Sequence, residues 1–159
     1  MRPARFQQFA VEALAKAPDV KSVDPWQEDS RPFGVHIMFM SGAQIWAAIT
    51  ATAAPGEDYK QPENPVVYEA PAEVAYPDLY DDGKVTPQLA EKYLAAALTN
   101  SGSGEIAAVY AYTVKDPATA HPGVGVQFHS EARIQLLFQH TARAGQDKGS
   151  RPFDLQTAF

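Results

Sequence analysis

The chain contains no cysteine. Neither a disulfide framework nor a thiolate metal site can be built from it. No stretch approaches the roughly 18 consecutive apolar residues of a membrane span. In the N-terminal MRPARFQQFAVEALAKAPD, Gln7, Gln8, Glu12 and Lys16 interrupt the apolar residues, so no secretory leader is expected. Basic residues are scarce: 13 Lys and Arg face 19 Asp and Glu, a net charge of −6. They form no stripe that could neutralise a phosphate backbone. These absences predict a cytoplasmic protein with neither a membrane nor a nucleic acid as direct partner.

Catalytic signatures are missing as well. No G-x-S-x-G elbow, G-x-G-x-x-G turn or H-x-x-x-H pair occurs. Ser101-Gly-Ser-Gly104 has the composition of a phosphate loop but follows a predicted helix, whereas such a loop precedes one. The four histidines, His36, His121, His129 and His140, lack metal-ligand spacing and read as surface or strand-edge residues. His129 and Glu131 flank a turn and could pair. Asp81-Asp82-Gly83-Lys84 reads as a tight turn before a helix. No cofactor or metal is expected.

What is present is an internal echo. Gly34–Gly56 and Gly123–Gly145 match at 9 of 23 positions without gaps, at an offset of 89 residues. Roughly one or two identities would arise by chance. The matches are Gly34/Gly123, Val35/Val124, Phe39/Phe128, Ser41/Ser130, Ala43/Ala132, Ile45/Ile134, Thr52/Thr141, Ala53/Ala142 and Gly56/Gly145. Each copy alternates as a β-hairpin and follows a helical stripe. Phe6, Phe9, Ala10, Ala13 and Leu14 predict a helix over 5–17, stopped by Pro18. Thr86 as N-cap and Pro87 at N1 predict a second over 86–99. A strand is expected at 20–26 and another at 105–114.

The predicted fold is α+β: a pseudo-symmetric tandem duplication of two α-β-β-β units, with an antiparallel sheet carrying both helices on one face. Residues 1–56 form the first repeat, 57–85 a connection, 86–145 the second repeat and 146–159 a tail. All belong to one structural domain. The register that keeps core residues together pairs Phe39 with Ile45, Ile37 with Ala47 and Val35 with Ile49, around a three-residue loop. The second copy repeats it as Phe128 with Ile134, Val126 with Leu136 and Val124 with Phe138.

Charge is uneven. Residues 57–84 hold eight acids and two bases, so this stretch alone accounts for the net −6. It is also rich in Pro and Tyr, and Val66, Val67, Tyr68, Val74 and Tyr76 could pair at a sheet edge. On the face turned away from the helices, the first copy carries His36, Met38 and Trp46, with Met38 opposite Trp46. The second copy offers only Leu137 among polar residues. Apolar surface of this kind marks an interaction site unless the connection folds over it.

Tandem β-α-β-β-β units resemble the glyoxalase/extradiol dioxygenase (vicinal oxygen chelate) superfamily. That resemblance implies a metal or ligand cleft between the units. It rests on architecture: here neither unit has a convincing strand before its helix, and the metal-ligand His and Glu pattern is absent. The expected function is a non-catalytic protein-binding or assembly module, acting through Met38, Trp46, His36 and Leu137 on a protein partner or on a second copy as a homodimer. One alternative is a small-molecule-binding protein or enzyme with a cleft between the repeats. Another is an acidic inhibitor that mimics nucleic acid.

Overall fold

The computed structural model describes residues 1–159. The chain runs α1 (Pro3–Leu14), β1 (Val20–Pro25), β2 (Gly34–Phe39), β3 (Gln44–Thr52), β4 (Tyr80–Asp81), β5 (Lys84–Val85), α2 (Pro87–Thr99), β6 (Ile106–Ala111), β7 (Gly123–Phe128) and β8 (Arg133–Ala142). The class is α+β. Six strands form one antiparallel sheet in the order β1-β2-β3-β8-β7-β6. No helix is long and apolar enough to cross a membrane.

Both helices start on proline, whose fixed φ and missing N–H suit the first turn. Thr86 caps α2, its hydroxyl accepting from the Leu89 amide at 3.2 Å. The first helix ends at Leu14, three residues short of the expected 17. A residue before proline avoids helical backbone, and Lys16 and Ala17 close with tighter bonds to Ala13 and Leu14.

One face of the sheet is apolar because core residues recur at every second position. Val35, Ile37 and Phe39, Ile45, Ala47 and Ile49, and Ile134, Leu136 and Phe138 are all buried. They meet Phe6, Ala10 and Leu14 of α1 and Ala90, Leu94, Ala97 and Leu98 of α2 in a single core. Leu79, Val85 and Phe159 close one end of it.

The hairpins keep the expected faces but not the expected partners. Ile37 pairs with Ile45 and Val35 with Ala47, and in the second hairpin Val126 pairs with Ile134 and Val124 with Leu136. Each register is two residues from the expected one. A two-residue slip preserves the alternation, so the hydrophobic pattern cannot distinguish the two. The turn decides. The Phe39 amide bonds to the Ala43 carbonyl around Met40-Ser41-Gly42, and Gly42 takes φ 88°. In the second hairpin Glu131 occupies the same left-handed position at φ 69°. A three-residue loop ending in that conformation is a standard hairpin closure.

The connection is an ordered, extended strap. It begins at an ion cluster in which Arg5 bridges Glu63 at 2.6 Å and Glu105 at 2.7 Å. Glu105 and Glu63 stabilise the Arg5 cation, and Arg5 in turn holds the Glu63 carboxyl down to about 2. The strap then passes Gly104, whose carbonyl accepts from the Tyr68 amide at 2.8 Å. At the end of α2, the Asn100 side chain bonds both backbone groups of Val74 at 2.8 Å. Tyr76 packs on Tyr93, and burial pushes the Tyr93 phenol up to about 12. The Asp82-Gly83 turn, with φ 48° and 73°, returns the chain through β4 and β5 to α2.

Candidate functional site

The outer face of the sheet divides into two unlike halves. Over β1–β3, Trp46 is the cross-strand neighbour of His36, not of Met38, because of the two-residue register difference. Their rings stack at 4.4 Å and 7°. The His36 Nε2 meets the Gln44 amide oxygen at 2.9 Å, and Trp46 is buried. Met38 pairs with Gln44 and is half-buried. Leu137 lies on β8 opposite Ala48, also half-buried. The structure therefore brings His36 and Trp46 into one stack and leaves Met38 and Leu137 beside it.

The cover of this region is not the acidic connection, which runs past the helices and the strand ends. It is the loop after β1 together with the C-terminal tail. Gln146 accepts from the Gln44 side chain at 2.9 Å, the Phe153 amide reaches the Gln139 carbonyl at 2.8 Å, and the Gln156 amide reaches the Thr141 hydroxyl at 2.8 Å. Lys148 from the tail grips Glu28 of the loop at 2.5 Å. That contact holds the Glu28 carboxyl below its usual range.

His140 sits under this cover. Its expected place is the surface or a strand edge, but a bulge in β8 sets it on the outer face beside Trp46, beneath the cover: Trp46 pairs with His140 while Ala47 pairs with Phe138, leaving Gln139 unmatched. His140 is 2% exposed, and neither ring nitrogen has a hydrogen-bond partner. Trp26 meets it edge-on at 6.1 Å, and Glu28 stands 3.9 Å from Nε2. Burial, with Lys148 and Arg31 nearby, lowers its pKa, while Glu28 opposes the shift. The imidazole lies edge-on to Trp26 between the loop and β8 and is sealed from solvent.

Over β6–β8 the outer face carries a groove, with Tyr112 buried and Tyr110 half-buried at its floor and Phe153 of the tail packed on His121 at its side. Gly123 and Gly125 leave room for Tyr112 and Tyr110. A Cβ on Gly125 would lie 2.3 Å from the Tyr110 ring, and one on Gly123 would lie 3.0 Å from the Tyr112 ring. The two tyrosines pack at 5.7 Å, and Lys115 places its ammonium 5.6 and 4.9 Å from their centroids. Burial raises the Tyr112 phenol. The groove beside them, about 360 Å³, is lined also by Arg133, His121, Gln135 and Leu137. No carboxylate lines it, in a chain whose net charge is −6.

Beneath this groove, Glu91 of α2 is fully buried. It accepts from the Thr113 amide at 3.0 Å, from the Gly123 amide at 3.0 Å and from the Thr113 hydroxyl. Three donors converging on one buried carboxylate anchor the segments that leave β6 and enter β7.

The third surface is the strap. Val67 is 64% exposed, Tyr68 68%, Val74 47% and Tyr76 37%. Glu69, Glu73 and Asp78 between and beside them are exposed too. His129 does not pair with Glu131. Its ring faces Tyr68 at 5.2 Å and meets the Glu69 carbonyl at 3.2 Å. A larger cavity of about 400 Å³ lies between the start of α1 and residues 54–66. The two halves of the sheet meet through the β3–β8 ladder, interrupted by the bulge at Gln139.

Sequence reasoning singled out Trp46 and His36 but missed Trp26 and Glu28, which lie far from His140 in the chain, and read His140 as a surface or strand-edge residue. The available signal for the groove was the Gly125/His36 and Gln135/Trp46 difference between the two hairpins. Comparison with protein-family models, with curated proteins and with solved structures returns no match to this chain.

Proposed function

We propose that this chain is a non-catalytic protein-binding module that presents its acidic strap to a partner. The observation that carries the reading is the outward exposure of Val67, Tyr68, Val74 and Tyr76 on a backbone that is tied down at Gly104 and Asn100. A fixed backbone displaying apolar side chains loses little entropy on docking. Apolar residues interleaved with carboxylates suit a partner with an apolar centre and a basic rim.

The scaffold of the module reads as a duplicated α-β-β-β unit. Nine identities at offset 89 support this. So do the pairings: Ala48 lies opposite Leu137, its own counterpart at that offset, as a local two-fold axis requires. Trp26 bonds through its amide to the Gly34 carbonyl at 2.9 Å, and Tyr112 bonds in the same way to Gly123 at 3.0 Å.

A photo-cross-linking residue placed at Tyr68 tests the function. We expect covalent capture of one discrete partner in native cells, lost on Val67→Ser combined with Val74→Ser although this variant keeps wild-type stability. Diffuse capture that these substitutions leave unchanged sinks the proposal.

A further inference from the structure

The two edges of the sheet are defended unequally. An edge strand offers unpaired N–H and C=O groups to any extended chain, and proteins blunt such edges with charge, proline or a bulge. At β1 the sequence Val20-Lys-Ser-Val-Asp-Pro25 carries two charges and a proline. At β6 the sequence Ile106-Ala-Ala-Val-Tyr-Ala111 carries neither, and only its first residues are bulged. Ala107 and Ala108 are exposed. Because the Tyr112 amide bonds inward to Gly123, alternation in an antiparallel ladder turns the backbone groups of Val109 and Ala111 outward; Val109 is half-buried and Ala111 only 5% exposed, so a chain pairing there must push neighbouring side chains aside. No other segment bonds to them.

A chain added along this edge sends alternate side chains to the outer face of the sheet. There they meet the Tyr110–Tyr112 pair and the Lys115 ammonium, with Arg133 beyond. The groove has three groups able to carry positive charge and no carboxylate. Neither Lys115 nor Arg133 is held by an ion pair within the chain.

We propose that β6 is a docking edge for an extended acidic peptide segment of a partner protein. The segment's backbone pairs with Val109 and Ala111, and its alternate Glu or Asp side chains reach Lys115 and Arg133 across the tyrosine pair. A small anion lacks the backbone half of this recognition. A basic segment meets the wrong charge. This site is distinct from the strap, and neither proposal depends on the other.

The test is an NMR titration of the whole chain with a blocked heptapeptide of alternating Val and Glu. We expect saturable shifts in β6 and Lys115, slowed amide exchange at Val109 and Ala111, and affinity reduced at least tenfold by Lys115→Glu with Arg133→Glu. A version with Lys in place of Glu should bind at least tenfold more weakly, and one with proline at its central pairing position should not bind. Equal binding of the Lys peptide, binding without protection of Val109 and Ala111, or no binding at all overturns the proposal. Inorganic phosphate that shifts Lys115 and Arg133 and blocks the peptide's shifts without itself protecting β6 marks the charged half of the site and supports it.

Discussion

The two halves of the outer sheet face share a framework and differ in what stands on it. Where β2 and β3 place His36 and Trp46, β7 and β8 place Gly125 and Gln135 at the same offset and in the same cross-strand pairing. In the first half an imidazole stacks on an indole, and two segments close over them. In the second half a missing side chain lets the Tyr110 ring pack against the Gly125 backbone, and a groove remains beside it. The lesson is that burial on this face is decided by one cross-strand pair in each hairpin, while the core face is common to both.

The largest way to break the comparison is Trp46→Ala. Removing a buried indole should cost about 3–5 kcal/mol, whereas Gln135→Ala at the matching position should change stability by less than about 0.5 kcal/mol. Urea unfolding of both variants checks this, and equal losses would show that the two faces are not differently packed. Next comes the helix residue under each half. Gln7 donates to the Gly34 carbonyl at 2.8 Å, and Glu91 accepts from the Gly123 amide at 3.0 Å. Glu91→Ala strands three donors and should cost about 2–4 kcal/mol, while Gln7→Ala should cost about 1 kcal/mol.

A smaller effect sharpens the comparison by pH. The His140 pKa lies lower in the folded chain than in the unfolded one. The unfolded state therefore binds the proton first, and stability present near neutrality is lost as pH falls below about 6.5. The loss levels off once pH passes the folded value. His140→Phe should flatten that slope in chemical denaturation between pH 7 and 5, and the tail amides of Phe153 and Gln156 should exchange faster at pH 5 only when His140 is present. An unchanged slope in the variant would refute the assignment. The smallest effect concerns the turns. Glu131→Gly relieves a left-handed residue and should stabilise by about 0.5–1 kcal/mol, while Gly42→Ala should destabilise, since its Cβ would sit 2.6 Å from that of Ala144.

Periodicity made the core face readable, because Val35, Ile37 and Phe39 can face only one way if they are to be buried together. It could not choose between registers two residues apart, since Ile45 and Ala47 are both core residues. The choice came from Gly42 and Glu131, whose backbone conformation is not written in hydrophobicity. His140 was illegible for a related reason: a bulge inverts alternation beyond Phe138, and no residue type announces it. The cover over Trp46 was illegible because Glu28 and Lys148 lie 120 residues apart. The strap was legible as acidic and rich in tyrosine, but its path depended on single anchors such as Asn100. The proposed duplication rests on the stretch where the spacing of 89 residues holds. Trp26 and Tyr112 occupy matching places at a different offset, so a gapless comparison passes over them.

The β3–β8 ladder joins the two halves independently of the strap. A chain held together in two ways survives the loss of one. Residues 1–56 and 86–159, produced as separate polypeptides, should find each other and rebuild the sheet, since each alone is too small to bury a sufficient core. Co-purification of the two fragments would show that a break in the backbone between the halves converts folding into binding, at the cost of the core contacts that Leu79 and Val85 supply.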